Sequence, residues 1–429
     1  MLRKANLSVS FAIKSYTSNE EAVMHILFIA PSFPKYQPQF VRALASVGAK
    51  VTGIGEGPVD SLTDELKHWL DDYEQVSSVC NEQEMVDTVR RIQQRGWVDR
   101  LEATIEAHVM AAARVREECG IPGLTTKQAW LCRDKSTMKE FAREHGIPCA
   151  QSIAASSVEE VVNFGKKVGY PIILKPRDGA GASATWRVDK ERDLEHAMHD
   201  TGVIHGHSIA VEEFIEGHEG FYDTMIAGGN ISHEFISHYY PNVLEAMRTR
   251  WISPVIIHTN RMDAPGYQEV KDLGRHMIRK MELDTAPTHM EWFFGEKGLK
   301  FSEIGARPPG VGHWDIYCAA NDIDLYQEWT AAIVHGNCPG TLSRNYSAAI
   351  INLRPTQDGH IQRYEGFDRI QEKYGEWIFK CHLPPPGSPT QPVGEGYMAN
   401  AWIQIKFPDY DGLREILEDI GQTLKVIAT

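Results

Sequence analysis

Cysteine is sparse and scattered in this chain: Cys80, Cys119, Cys132, Cys149, Cys318, Cys338 and Cys381 make seven, with no C-x-x-C pair. An odd, dispersed set supports neither a disulfide framework nor a cysteine zinc site, and it fits a reducing cytoplasm. No apolar run approaches the roughly 20 residues that span a bilayer, so a soluble protein without a membrane partner is expected. Basic charge is also short, with 44 Lys and Arg against 58 Asp and Glu and a formal net charge of -14. Phosphate backbones and anionic lipids recruit basic surfaces, so nucleic acid is not an expected partner either. The loop after the first expected strand lacks G-x-G-x-x-G, and the later GEGPVD at Gly55–Asp60 has the wrong spacing for a dinucleotide site. There is no internal repeat or low-complexity tract.

At 429 residues and 42% hydrophobic content the chain can bury a large core and exceeds one ordinary compact domain. Residues 1–23 combine Arg3, Lys4 and Lys14 with Ser and Thr, as a transit peptide would, but Glu20 and Glu21 do not suit one. An N-terminal extension without regular structure is expected there. Met24–Ala30 (MHILFIA) reads as a buried strand, followed by a helix to Val47 and a strand at Lys50–Ile54, which opens a small α/β lobe over 24–124. A helix from near Arg133 to His145 leads into an α+β unit, expected as a lid over 125–216. Its elements are a helix at Val158–Val168, a strand at Tyr170–Leu174, a Gly-rich turn at Arg177–Ser183, and a strand at Ser208–Phe214. A larger β-rich lobe is expected over 217–340, and a C-terminal subdomain over 341–429 that contains the loop PPPGSPTQP at Pro384–Pro392. The expected class is therefore a multi-lobe α/β and α+β protein.

Four segments carry chemistry. Lys175 ends an apolar strand and faces a turn with Gly179, Gly181 and Ser183; small residues let backbone N–H groups and the ammonium approach phosphate oxygens. The spacing is not that of a Walker A loop. Lys135, in Arg133-Asp134-Lys135 at a helix start, gains weight only from its neighbours. Ile209–Gly217 (IAVEEFIEG) is an apolar strand running into paired acids: an adenine ring can lie beside it against the hinge backbone, with Glu212 or Glu213 accepting from the exocyclic amine and Glu219 from ribose. An amphipathic edge strand would satisfy the same pattern. The most specific segment is His289-Met290-Glu291 followed across GEKG by Phe301-Ser302-Glu303-Ile304-Gly305-Ala306-Arg307. A hairpin puts Glu291 and Glu303 on one face, where two acids need a cation between them and suit Mg²⁺ (or Mn²⁺), while Arg307 can clamp a carboxylate.

This succession resembles the ATP-grasp superfamily, and within it the biotin carboxylase, carbamoyl phosphate synthetase and L-amino acid ligase branch. The likeness runs from Met24 to Gly340 and is strongest over Arg133–Gly310. It implies an ATP-grasp fold in which ATP lies between two α+β units, the smaller closing as a lid. It further implies Lys135 and Lys175 at the phosphates, Glu212, Glu213, Phe214 and Ile215 at adenine, Glu219 at ribose, Glu291 and Glu303 at magnesium, and Arg307 at the intermediate. One departure stands out: the family's E-x-N-x-R reads Glu303-Ile304-Gly305-Ala306-Arg307 here, without the asparagine that completes metal coordination.

The expected activity is ADP-forming ligation of a small carboxylate, such as an amino acid, to an amine through an acyl phosphate. A bicarbonate-activating carboxylase and a catalytically inactive nucleotide-binding regulator are the alternatives. Candidate substrate residues are Arg248 and Trp251 in EAMRTRW, with Arg250 as an alternative to Arg248, and His313 and Trp314 in PPGVGHW. A homodimer is compatible with the sequence, which fixes no oligomeric state.

Overall fold

The computed structural model describes residues 23–179, 184–310, 312–393 and 397–429. The expected extension, apart from Val23, and the turn residues Gly181 and Ser183 lie outside the described residues.

His25–Ile29 (HILFI) is buried throughout and forms β1, an inner strand of a parallel sheet, as two-sided burial dictates. With β2 (Lys50–Gly55), β3 (Asp72–Gln75) and β4 (Arg100–Glu102) it gives the order β3-β2-β1-β4. Phe40, on the helix Gln37–Ser46, packs on Phe28 and on Trp314, Tyr326 and Trp329. An aromatic core therefore fuses this lobe to the helices His313–Asn321 and Leu325–His335.

The second sheet is antiparallel, order β5-β8-β6-β7, from β5 (Ser152–Ala155), β6 (Ile172–Pro176), β7 (Trp186–Val188) and β8 (Ile209–Glu213). Its helices, Val158–Val168 with a Ser157/Glu160 capping box and Leu194–Asp200, cover one face and bury Ile172, Leu174, Ile209 and Val211. Period-2 alternation then turns Ile173, Lys175 and Glu212 to the opposite face.

The third sheet has eight strands, ordered β13-β12-β9-β10-β11-β14-β17-β16. They are β9 (His218–Ala227), β10 (Asn230–Tyr240), β11 (Val255–His258), β12 (Ala286–Gly295), β13 (Gly298–Gly305), β14 (Ser347–Leu353), β16 (Ile378–His382) and β17 (Ala401–Phe407). Strands β15 (Ile361–Glu365) and β18 (Lys425–Ala428) pair separately. The large sheet thus continues across residue 340, because β14 completes the ladder of β11.

Two further differences from the sequence expectation matter. The helix expected from Arg133 to His145 is two helices, Thr126–Arg133 and Lys135–Glu144, broken at Asp134, whose carboxylate caps Thr137 N at 2.8 Å. Both pack through Leu131, Met138 and Ala142 into the core under the large sheet, not under the lid. Among the described residues no helix is long and apolar enough to cross a membrane, and the cysteines are free thiols.

Candidate active site

The three sheets enclose a cavity of about 900 Å³, within the range of small-molecule and cofactor sites. Its floor comes from β12 and β13. Along β12, Met290 and Trp292 enter the core while His289, Glu291 and Phe293 face the cavity. On β13 plain alternation would aim Phe301 at the same face as Glu303. A bulge interrupts this alternation: Glu291 pairs with Glu303, Trp292 with Phe301, and Ser302 is the extra residue, while Phe301 and Ser302 still line the cavity. Phe301 and Ile304 are therefore both buried while Glu303 faces Glu291 from the neighbouring strand.

Lysines meet these acids from two sides. Lys135, at the first position of its helix, lies 3.4 Å from Glu303 and donates to the carbonyl of Gly179, clasping the start of the glycine turn. Arg177 anchors the same corner through Asp134 at 2.7 Å. From the lid, Lys175 lies 3.1 Å from Glu212, and Glu212 also receives Lys139 at 3.0 Å. Lys139 was not anticipated from the sequence, although its i+4 spacing from Lys135 puts both on one helix face. The remaining oxygen of Glu212, Oε1, is buried without a partner among the described residues. Burial opposes ionisation of Glu303, yet Lys135 and Lys175 outweigh it and hold its carboxyl down at about 2. Burial likewise acts against Lys175, and Glu212 and Glu303 keep its ammonium raised.

Glu219 is a third acid here. It accepts from Val243 N at 2.7 Å, and burial followed by the charge of Glu291 pushes its carboxyl up to about 8. His289 stands between Asp223, at 2.8 Å, and Glu291, at 3.7 Å; burial works against its imidazolium, but Asp223 raises it to about 9. Tyr317 fixes the other oxygen of Asp223 at 2.6 Å. Opposed oxygen donors that still raise a neighbouring carboxyl are short of positive charge, and this donor set fits a hard divalent cation such as Mg²⁺ or Mn²⁺.

The hinge Glu213–Ile215 lines the cavity, with Phe214 under the guanidinium of Arg187 at 4.1 Å. The Glu213 carboxylate is engaged by Gln151, at 3.1 Å from its backbone N, and by Lys297 at 3.7 Å. Arg307 reaches the cavity, as does Glu106 from beyond β4, a residue no sequence spacing signals. Of the substrate candidates only Arg248 lines it. Trp251 is 86% exposed outside it, Trp314 is packed on Phe40 in the core, and His313 is buried against Phe221 and Tyr317, bonded to Ser237 at 3.1 Å. Arg250 pairs with Asp358 at the surface. The aromatic stretch after Arg307 was open to a substrate reading because a core tryptophan and a stacking one look alike in sequence.

A clamp of two sheets, with lysines from both sides over paired strand acids, is the ATP-grasp fold. Residues 140–322 match the family model described as ATP-grasp domain. The L-arginine-specific L-amino acid ligase of Bacillus subtilis is 28% identical over 251 residues, covering 57% of this chain and 60% of that protein. The chain thus spans about three fifths of that curated relative. Among solved structures, the L-amino acid ligase from Bacillus licheniformis superposes with a TM-score of 0.76 at 16% identity, covering 95% of this chain and 99% of that one. The biotin carboxylase domain of Hydrogenobacter thermophilus 2-oxoglutarate carboxylase, a dimer in complex with MgADP and bicarbonate, gives 0.66 at 19% identity, covering 94% and 90%.

Proposed function

We propose that this protein is an ADP-forming ligase that activates a small carboxylate as an acyl phosphate and passes the acyl group to an amine. The observation that carries the reading is the convergence of Lys135, from the helix packed under the large sheet, and Lys175, from the lid sheet, on a cavity floored by Glu291 and Glu303.

In this reading the lysines hold the nucleotide's phosphates, Glu219 takes ribose, and the hinge Glu213–Ile215 lies beside adenine. Glu212 Oε1, the unpartnered buried acceptor, suits the exocyclic amine. A magnesium or manganese ion held by Glu291 and Glu303 would neutralise the phosphate oxygens during transfer. Arg307 orients the attacking carboxylate toward the γ-phosphorus, and after the P–O bond to ADP breaks it faces the oxyanion formed by amine attack, which collapses as the C–O bond to phosphate breaks, releasing inorganic phosphate and the amine's proton. The lid sheet excludes water from the acyl phosphate. Arg248, which lines the cavity with Leu244 and Val243, is the residue for a second substrate's carboxylate. The amino acid ligase among the relatives supports amino acids as the substrate class, and the free thiols fit a cytoplasmic enzyme.

The test is an ADP-release screen with pooled amino acids as donors and acceptors. Release that needs both an acid and an amine is the expected result. Release with bicarbonate alone would make the protein a carboxylase, and nucleotide binding without release from any pool would make it a binding protein.

A further inference from the structure

Position 305, where the E-x-N-x-R pattern has asparagine, is the last residue of β13 and lies two residues from Glu303. The pleat would therefore aim a side chain there toward the cavity, on the same side as Glu303. That space is taken. A β-carbon built on Gly305 falls 3.3 Å from Glu106 Oε2, 3.5 Å from Arg307 Cγ and 3.8 Å from Arg307 Nε.

Glu106 comes from a different layer. It opens the single turn Glu106–His108 beyond β4 of the N-terminal sheet, and its carboxylate is divided between two guanidinium groups. Oε1 accepts from Arg133 Nη1 at 2.8 Å, and Oε2 accepts from Arg307 Nε. Arg307 Nη1 donates to the carbonyl of Pro308 at 2.8 Å, while Nη2 has no protein acceptor among the described residues. The guanidinium is thus fixed on one edge and left with a donor on the other, in a cavity that Glu106 itself lines.

We propose that Glu106 is the positioning residue for Arg307, and that position 305 is glycine because the Glu106 carboxylate occupies the volume an asparagine side chain would need. Glu106 does not replace the asparagine as a metal ligand, since both its oxygens are engaged by arginines. The loss of that ligand and the gain of an arginine clamp are one exchange, and it ties the N-terminal sheet to the reacting centre.

The kinetic test rests on the ligase reading; the stability test does not. Glu106→Gln, which keeps the shape and removes the charge, is expected to lower kcat about 10- to 100-fold with KM for ATP within about twofold, since a misplaced catalytic group costs the chemical step and not nucleotide binding. Glu106→Asp is expected to recover part of that loss. Gly305→Asn is expected to show the same kcat loss, and in the double variant Glu106→Ala with Gly305→Asn the losses do not multiply, because the asparagine enters vacated space. Denaturation midpoints of the two single variants and the double variant supply the same cycle without turnover. A Glu106→Gln enzyme with parental kcat, or Glu106→Ala and Gly305→Asn effects that simply add in either cycle, overturns the proposal. A parent chain without ADP release would overturn the ligase reading, and the stability cycle would still decide this one.

Discussion

Glu291 on β12 lies directly opposite Glu303 on β13, and the bulge residue Ser302 lets both carboxylates share the face that Lys135 approaches. Lys135 lies 3.4 Å from Glu303 and His289 3.7 Å from Glu291, so both acids face cationic groups across the cavity floor. We expect Glu303→Gln and Glu291→Gln each to lower ADP release by about 100-fold or more, with a higher magnesium requirement. A magnesium titration of turnover in each variant checks this; parental rates would remove the acids from the mechanism.

Glu212 holds two buried ammonium groups, Lys139 at 3.0 Å and Lys175 at 3.1 Å. Glu212→Leu strands both charges and is expected to cost about 3–5 kcal/mol of stability, whereas Lys139→Met leaves Glu212 paired with Lys175 and costs less. Urea denaturation with nucleotide absent measures the two, and an equal cost would contradict the shared-carboxylate account.

At the hinge, a β-carbon on Gly295 would fall 2.1 Å from the carbonyl oxygen of Glu216, and one on Gly217 would fall 2.5 Å from that of Phe294. The β12–β13 turn and the segment after β8 thus run backbone against backbone. Gly295→Ala must push the hinge away from the cavity, and we expect KM for ATP to rise about tenfold while kcat falls less. A nucleotide titration of initial rates reads the split.

His238 and His258 are buried, and desolvation lowers both to about 3; desolvation also holds the buried His313 well below its ordinary value. Their folded values lie below the unfolded value near 6.5, so the unfolded chain binds more protons below that pH. The contribution of these three histidines is therefore fully present above about 6.5 and falls with acidification by up to about 1.4 kcal/mol per pH unit for each. Glu303, lowered to about 2, adds its own loss only below about 4.5. Denaturation midpoints at pH 7.5, 6.5 and 5.5 are expected to decline over the last interval, and His258→Gln should flatten that decline.

Much of this architecture was legible in the sequence because it obeys simple periods. The Val158–Val168 helix, the hairpin carrying both acids and the lysine strand before the glycine turn follow from amphipathic spacing, alternation and turn residues. The helices His313–Asn321 and Leu325–His335 escaped because they are buried nearly all round, which erases the 3.6-residue stripe. Lys139 was hidden by looking like a solvated helix lysine, and Glu106 by arriving from another sheet. Trp314 and His313 misled in the opposite direction, since an aromatic residue next to a site motif carries no mark of which side of the backbone it takes. The Ser302 bulge had no signal at all, because a strand of eight residues reads the same with or without one extra.

The decisive measurement is calorimetric titration of a non-hydrolysable ATP analogue into the full chain, with and without magnesium, in parent, Lys175→Met and Glu303→Gln. One analogue per chain, bound about tenfold or more tightly with magnesium and weakened in both variants, is the predicted outcome. Binding indifferent to magnesium and to both substitutions, or no binding by the parent, would contradict a nucleotide and metal held between these lysines and acids.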